Sequence, residues 1–193
     1  MLKKIALGVL AAVVLLIVFI ATGPATFRVE RSTTIAAPAG QVFALLNDLH
    51  QWEKWNPYMK LDPTQTLTYG GPAAGVGASY AWKGEKSNEG RAEILESRSP
   101  DFLKIQLDFI APMKATNITE YTLKPVAGGV SLTWAMYGDN SFLGKAVARF
   151  ASMDSILGKD FDRGLADIKA LAEAEAAREA PPTTAPVAAP AVP

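Results

Sequence analysis

The hydrophobic pattern near the end of the chain predicts a long amphipathic helix. Over residues 160–177 the apolar side chains recur at steps of three and four, which is typical of one helix face: Phe161, Leu165, Ile168, Leu171 and Ala172. A second stripe of similar period precedes it: Phe142, Val147, Phe150, Met153 and Leu157. Gly158 lies between the stripes and Asp160 is a suitable N-cap. The pattern predicts two helices with a break near Gly158, or one long kinked helix.

The middle of the chain predicts an antiparallel sheet. A first strand covers Thr26–Ile35, and a helix then starts near Pro38 and continues to Leu49. Residues 50–55 add a short helical turn that Asn56 and Pro57 close. From Thr64 onward apolar and polar residues alternate with a period of two, and the segments are 64–69, 76–83, 91–97, 103–109, 115–123 and 130–136. Because the links between these six segments are short, we expect antiparallel neighbours.

The N-terminal pattern predicts a membrane segment. Residues 5–21 are apolar and uncharged, and as a helix they would rise about 25 Å, at the short end for a bilayer core. A signal peptide is the alternative, but its apolar region is usually shorter and its cleavage site resembles A-x-A, which this chain matches poorly. We therefore predict a retained anchor over residues 1–23. Lys3 and Lys4 favour a cytoplasmic N-terminus with the domain outside, periplasmic or extracellular, and Arg28 and Arg31 oppose that orientation.

The remaining domain boundaries follow from composition. The periodic region over residues 24–179 predicts one folded domain. Residues 180–193 consist of Pro, Ala, Thr and Val without charge or apolar period, which predicts a disordered tail.

Composition excludes several classes of function. Lys and Arg together number 19 and equal Asp and Glu, so no basic field exists to bind nucleic acid. The chain has no cysteine, which excludes disulfides, thiolate nucleophiles and cysteine metal sites. Its single histidine, His50, leaves no histidine-rich metal set and argues against a Ser–His–Asp triad. We predict no catalytic residue, no metal site and no cofactor.

Local motifs accompany this order of elements. The first are RSTTIAAP at residues 31–38, Val42-Phe43, Asn47-Asp48 and WEKWNP at residues 52–57. Later come Gly75-Val76-Gly77-Ala78 with Trp82, Trp134 with Gly138, and GKDF at residues 158–161 with Gly164-Leu165. Over about residues 26–177 these motifs resemble the START-like superfamily, also called SRPBCC, in its polyketide cyclase/dehydratase and lipid-transport branch.

The resemblance implies an α+β helix-grip fold. A curved seven-stranded antiparallel sheet would wrap around the long C-terminal helix and leave an apolar cavity between them. The pattern leads to the same expectation, because the apolar face of a sheet needs a cover and one helix cannot fill a strongly concave face. The superfamily mixes lipid carriers, hormone receptors, cyclases and proteins of no known activity, so the fold alone does not give the function.

The predicted inner faces are rich in aromatic and methionine side chains. We predict ligand contacts for Trp55, Tyr80, Trp82, Phe109, Asn117, Tyr121, Trp134, Met136, Met153 and Phe161. Ordinary core packing is the alternative for each, although buried Tyr and Trp need hydrogen-bond partners that a ligand can supply. Asn117 and Thr119 either pair within the fold or orient a ligand, because a buried polar group without a partner costs about 1–3 kcal/mol.

The two tryptophans of the helix pair allow two interpretations. Trp52 and Trp55 either form a hydrophobic plug under the sheet edge or line a pocket mouth beside the glycine-rich loop 70–77, with Tyr58 and Met59 on the rim. His50 is either a surface residue at a helix end or a proton carrier.

The sequence is compatible with three functions. The first is a membrane-anchored domain that binds a hydrophobic small molecule or lipid. The second is an enzyme of the cyclase/dehydratase type, for which His50, Tyr80 and Tyr121 are the available proton carriers. The third is a protein-interaction module with a closed pocket, whose protein partner the sequence does not indicate.

Overall fold

The computed structural model describes residues 1–62 and 64–179. An N-terminal helix is followed by a strand, a group of short helices, six further strands and two helices. The elements in chain order are α1 (Leu2–Ala21), β1 (Thr26–Ile35), α2 (Ala39–Asn47), a 3-10 turn (Leu49–Gln51), α3 (Trp52–Trp55), α4 (Pro57–Lys60), β2 (Thr66–Gly70), β3 (Ser79–Gly84), β4 (Asn88–Arg98), β5 (Phe102–Ala111), β6 (Ala115–Val126), β7 (Gly129–Asp139), α5 (Phe142–Ala148) and α6 (Met153–Glu179).

Within these residues, seven strands form one antiparallel sheet in the order β1-β7-β6-β5-β4-β3-β2. The last six strands form a meander, and β1 pairs with β7, so the predicted helix-grip fold is confirmed. β3 begins at Ser79, three residues later than the alternating pattern predicts. Gly75 and Gly77 adopt positive φ in a turn before it, and the Ala78 amide donates to the Gly75 carbonyl, which delays the extended backbone.

The predicted break near Gly158 is wrong, because α6 passes through this residue without interruption. The two stripes do form two helices, but the chain breaks between Ala148 and Met153. The Ser152 hydroxyl accepts from the Ser155 amide at 3.1 Å at the start of α6. Asp160 is therefore not an N-cap and lies inside the helix, where it contacts Arg163 at 3.5 Å.

Gly158 serves a packing role in this helix. Arg31 on β1 forms an ion pair with Asp154 at 2.6 Å and reaches Asp162 at 3.4 Å, one helical turn to either side of Gly158. A Cβ at position 158 would clash with the Arg31 guanidinium. The glycine thus leaves room for the guanidinium between Asp154 and Asp162, where a larger residue would push it aside.

The C-terminal helix packs its predicted face against the sheet and the short helices. Its buried residues are Gly158, Phe161, Gly164, Leu165, Ile168 and Ala172. They join the core with the inner faces of the strands and with α2, whose Val42, Phe43, Leu45 and Leu46 are buried. Leu171 is only partly buried.

The N-terminal helix α1 extends from this body with no buried residue. It is the one helix in the described part of the chain that is long and apolar enough to span a membrane, a property that a signal sequence shares. The predicted tail, residues 180–193, lies outside the described residues, and the predicted domain boundaries stay predictions.

Candidate functional site

A cavity of about 560 Å³ lies between the concave face of the sheet, helix α4 and the start of α6. Its inner part is formed by buried side chains from four elements, Trp52, Tyr80, Thr119, Tyr121 and Trp134. Its outer part is formed by exposed residues, among which are Leu61, Pro112, Met113 and Ile156. We call this exposed set, with Lys86, Asn88, Ala111, Lys114, Ala115 and Ser141, the rim.

A continuous series of aromatic rings forms the inner wall. The ring centroids of Trp134 and Tyr121 are 5.3 Å apart, and those of Tyr121 and Trp52 are 6.1 Å apart. The series continues through Tyr80 and Trp82 to Phe109, with separations between 5.7 and 6.0 Å. Because such ring pairs constrain each other in tilted and edge-to-face arrangements, the cavity has a rigid inner surface.

One glycine makes room for this arrangement. Gly90 on β4 is the register partner of Trp82 on β3, and a Cβ at position 90 would lie 2.6 Å from Cη2 of the indole and clash with Cζ2. The Trp82 ring therefore lies over the backbone of the neighbouring strand. The alternation of apolar residues along β4 did not single out this glycine.

The four tryptophans differ in the hydrogen bonding of their indole groups. Trp52 Nε1 donates to the Leu46 carbonyl at 2.9 Å, and Trp55 Nε1 donates to the Leu45 carbonyl at 3.0 Å. Trp82 Nε1 donates to the Ser87 carbonyl at 3.1 Å. Trp134 Nε1 is buried and has no partner in the described part of the chain. The fold thus satisfies three of the indoles and leaves that of Trp134 unpaired.

Unpaired polar atoms are concentrated at this cavity. Six buried side-chain atoms without a hydrogen-bond partner among the described residues belong to cavity-lining residues: Tyr58 Oη, Gln65 Oε1, Asn117 Oδ1, Thr119 Oγ1, Tyr121 Oη and Trp134 Nε1. A buried polar atom without a partner costs about 1–3 kcal/mol, so these six atoms are expected to pair with water or a ligand. Their residues line the cavity, and the atoms themselves are buried.

Most of the side chains predicted to contact a ligand line the cavity. They are Tyr80, Trp82, Phe109, Asn117, Tyr121, Trp134, Met136 and Met153. Trp55 and Phe161 do not line it, and each has 0% of its surface exposed. They pack behind the wall: the Phe161 ring stacks on Trp134, and Trp55 contacts Trp134 edge to face at 5.9 Å.

The cavity mouth is not beside the glycine-rich loop 70–77, so that interpretation is wrong. Trp52 and Trp55 are both buried, and their indoles donate to carbonyls near the end of α2. Loop 70–77 borders a separate, smaller cleft of about 260 Å³ with His50 and Tyr69. Tyr58 and Met59, which that interpretation placed on the rim of such a mouth, line the main cavity instead.

The electrostatics of the cavity are simple. Among the described residues, no Asp, Glu or His lines it, and its charged lining residues are Lys86 and Lys114 on the rim. Burial raises the pKa of Tyr80 and of Tyr121 well above the ordinary value. Burial, with the nearby Asp160 carboxylate, likewise raises the pKa of Tyr58. These phenols stay protonated near neutral pH and can donate hydrogen bonds.

The match to known proteins agrees with this architecture. Residues 26–173 match the model of the family described as polyketide cyclase/dehydrase and lipid transport. The chain belongs to this family. The match confirms the resemblance that the motifs carry, and family and fold together support a START-like ligand-binding domain. Among curated proteins, none matches this family member significantly.

Solved structures share the fold of this family member at low sequence identity. A protein from Chromobacterium violaceum is 20% identical, with 78% of this chain and 98% of that chain covered and a TM-score of 0.54. The di-domain ARO/CYC StfQ from the steffimycin biosynthetic pathway is 12% identical, with 79% of this chain and 52% of that chain covered and a TM-score of 0.60. A protein from Mycobacterium smegmatis is 19% identical, with 77% of this chain and 92% of that chain covered and a TM-score of 0.54.

The histidine of this family member lies outside the cavity. His50 Nδ1 is 3.0 Å from the Asp48 carboxylate, its ring stacks on Tyr69 with centroids 4.0 Å apart, and half of its side chain is exposed. Asp48 also accepts from the His50 amide, so it caps the 3-10 turn. Within residues 1–62 and 64–179 no cluster of three or more His, Asp or Glu side chains could hold a metal ion.

A buried carboxylate supports the rim, and the sequence pattern did not reveal it. Asp62 accepts hydrogen bonds from the Thr64 amide and hydroxyl, the Lys86 amide, and the Ser87 amide and hydroxyl, at 2.6–3.0 Å. These bonds, with those from Thr64 first, hold the pKa of Asp62 well below its ordinary value. Asp62 thereby connects the β3–β4 turn to the segment after α4. Its spacing to Thr64 is typical of a local Asx turn, which is the signal that could have identified it.

Proposed function

We propose that this chain is a membrane-anchored protein that binds a hydrophobic small molecule or lipid in the cavity between its sheet and its C-terminal helix. The observation that carries the proposal is the set of six unpaired polar atoms in the wall of one apolar cavity. Ligand sites in proteins are concave and mostly apolar, with a few polar groups that fix orientation. A cavity of about 560 Å³ is within the range for small-molecule sites.

The chemistry of the wall narrows the class of ligand. The apolar lining suits a lipid-like or polycyclic body, since burial contributes about 25 cal/mol per Å² of apolar surface. Trp134 Nε1 and the Tyr121 hydroxyl are donors, and Asn117 Oδ1 is an acceptor, so small side-chain adjustments would pair them with hydroxyl or carbonyl groups on that body. Lys86 and Lys114 favour an anionic or polar group at the mouth. The proposed ligand is therefore amphipathic, with a few oxygen substituents.

The arrangement favours binding over acid–base catalysis. An enzyme of the cyclase/dehydratase type needs groups that take up and release protons. His50 is paired with Asp48 in a different cleft, and the phenols of the cavity hold their protons. An interaction module with a closed pocket is likewise disfavoured, because the cavity is large and its rim is exposed.

The binding proposal is tested by titrating an apolar fluorescent probe into the full chain. We expect saturable binding by the wild type and weaker binding by Trp134→Ala, with Trp134→Phe between them, because phenylalanine keeps a ring and loses the N–H donor. Circular dichroism serves as the folding control. A folded wild type that binds no apolar probe would overturn the proposal.

The anchor is tested separately. Residues 5–21 are uncharged, and α1 is long and apolar enough to span a membrane. We expect the expressed chain to stay in the membrane fraction after washing with alkaline carbonate. A mature N-terminus near Pro24 would show instead that the segment is a signal peptide.

A further inference from the structure

The cavity opens at the end of the sheet from which α1 departs. Register places Thr26 opposite Asp139, Asn117 opposite Gly138, and Phe109 opposite Ala115, so these positions share one end of the sheet. At this end lie the rim residues 111–115 and Ser141, and Phe27 at the start of β1. The opposite end of the sheet, where Val126 pairs with Gly129, contributes no lining residue among those described.

The end of α1 is held against α5, which borders the rim. The Arg149 guanidinium lies over the Phe19 ring at 4.3 Å and donates to the Thr22 hydroxyl at 2.9 Å. Lys145 Nζ donates to the Ala21 carbonyl at 3.3 Å. Asn140, just before α5, bonds to the backbone of the connecting segment through both its amide and its side chain. These contacts place α5 at the level where α1 would leave a bilayer.

Exposed apolar side chains surround the same region. Phe150 is 83% exposed, and Phe142, Leu143 and Ile156 are each about half exposed on α5 and the start of α6. Leu61 and Met113 on the rim are similarly exposed. Lys145, Arg149 and the rim lysines lie among them. An apolar patch bordered by Lys and Arg is typical of a surface that enters the interface of an anionic or zwitterionic membrane.

We infer that this face docks on the lipid bilayer that α1 spans and that the cavity mouth opens onto it, so that an apolar ligand passes directly between bilayer and cavity. The inference rests on the proposed function, because it requires α1 as an anchor and the cavity as the binding site. A bilayer is favoured over a protein partner because α1 directs this face toward the membrane. Docking on a bilayer also accounts for the exposed apolar residues on three separate segments around one opening.

The absence of cysteine makes the docking surface directly measurable. Phe150→Cys and Met113→Cys each place one cysteine at the proposed interface. Val126→Cys, at an exposed apolar position at the opposite end of the sheet, is the matched control. Each full-length variant carries an environment-sensitive NBD label and is reconstituted in phosphatidylcholine and phosphatidylglycerol vesicles with or without doxyl-labelled lipid. We expect the labels at 150 and 113 to shift to the blue and to be quenched several-fold more strongly than the label at 126.

The outcomes separate the docking inference from the proposed function. If the chain integrates into vesicles and binds the apolar probe while the labels at 150 and 113 are quenched no more than that at 126, the docking inference is wrong and the proposed function stands. Labels at 150 and 113 that are shielded from water without lipid quenching would indicate a protein contact and also overturn it. If carbonate removes the chain from the vesicles, both the anchor and the docking inference are wrong.

The functional consequence is tested by ligand transfer. Phe150→Ser removes the most exposed side chain of the patch without altering a cavity-lining residue. We expect it to slow transfer of the probe from vesicles to the full chain by about tenfold, which corresponds to about 1.4 kcal/mol, because the variant loses an apolar side chain that enters the bilayer. Equilibrium affinity in detergent should stay unchanged, as should transfer to Val126→Ser. An unchanged transfer rate for Phe150→Ser would contradict direct passage.

Discussion

The indole of Trp134 stacks on the ring of Phe161, with centroids 4.0 Å apart and planes inclined by 9°. Phe161 lies on α6 and Trp134 on β7, so the stack joins the helix to the sheet directly behind the cavity. Gly164 permits this contact, because a Cβ there would lie 2.8 Å from the indole. The fold therefore fixes the position of Trp134 through its ring and leaves its N–H unpaired at the cavity wall.

This difference between ring and N–H predicts unequal effects of the same substitution. Trp52→Phe removes a bond to the buried Leu46 carbonyl and should cost about 1–3 kcal/mol in the free energy of unfolding beyond the lost ring volume. Trp134→Phe removes no hydrogen bond of the fold and should cost less, while weakening the binding of ligands that accept a hydrogen bond. Denaturant unfolding followed by circular dichroism compares the two. Equal losses of stability would contradict the assignment of Trp134 as the unpaired indole.

Filling the cavity from its wall should block binding without unfolding the protein. Thr119 is buried and lines the cavity, and its hydroxyl has no partner among the described residues. We expect Thr119→Leu to lower the affinity for the apolar probe and to leave the free energy of unfolding unchanged within about 1 kcal/mol, since an unpaired polar atom is replaced by an apolar one. Thr122→Leu, on the opposite face of the same strand, is the control and should retain binding. Full affinity in Thr119→Leu would place the ligand elsewhere.

Asp62 should make the stability of the rim dependent on pH. The bonds from Thr64, Ser87 and Lys86 lower its pKa in the folded state from the ordinary value of 3.8. A carboxylate with a lowered folded-state pKa stabilises the protein fully above its unfolded pKa and loses this contribution as the pH falls toward the folded value. The difference in unfolding free energy between wild type and Asp62→Asn should therefore be largest near neutral pH and shrink steadily below about pH 3.8. A difference that stays constant through this range would contradict the role of the charge.

The contact between Gly158 and Arg31 should cancel the usual benefit of alanine in a helix. In an unobstructed helix interior, Gly→Ala stabilises by roughly 0.5–1 kcal/mol. Because a Cβ at position 158 would push the Arg31 guanidinium away from Asp154 and Asp162, we expect Gly158→Ala not to stabilise the protein. In an Arg31→Ala background the same substitution should become stabilising. Denaturant unfolding of the four proteins of this cycle measures the coupling, and a stabilising effect in both backgrounds would refute the proposed contact.

The sequence predicted the fold well because periodicity reports on burial. The alternation from Thr64 onward gave all six strands of the meander, and the stripe from Phe161 to Ala172 gave the buried face of α6. Periodicity failed where a contact with a residue distant in sequence determines the local structure. The pattern around Gly158 predicts a helix break, and only the fold shows that the Arg31 guanidinium from β1 occupies the space beside this glycine inside the helix.

The lining of the cavity was predictable as a set and not residue by residue. Eight of the ten side chains predicted to contact a ligand line the cavity, because the inner faces of consecutive strands converge on the same concave surface. The sequence could not separate Trp55 from Trp134, since the carbonyl of Leu45 satisfies one indole and nothing in the described fold satisfies the other. Asp62 was missed because its partners at Lys86 and Ser87 lie on a distant turn.

The most direct test of the central claim is native mass spectrometry of the full chain, extracted from membranes and released from detergent micelles. We expect a wild-type species that carries a co-purified apolar molecule with oxygen substituents. Its occupancy should fall in Trp134→Ala and in Thr119→Leu and persist in Thr122→Leu. A folded wild-type chain that carries no such molecule and takes up no apolar probe when one is supplied would contradict the account.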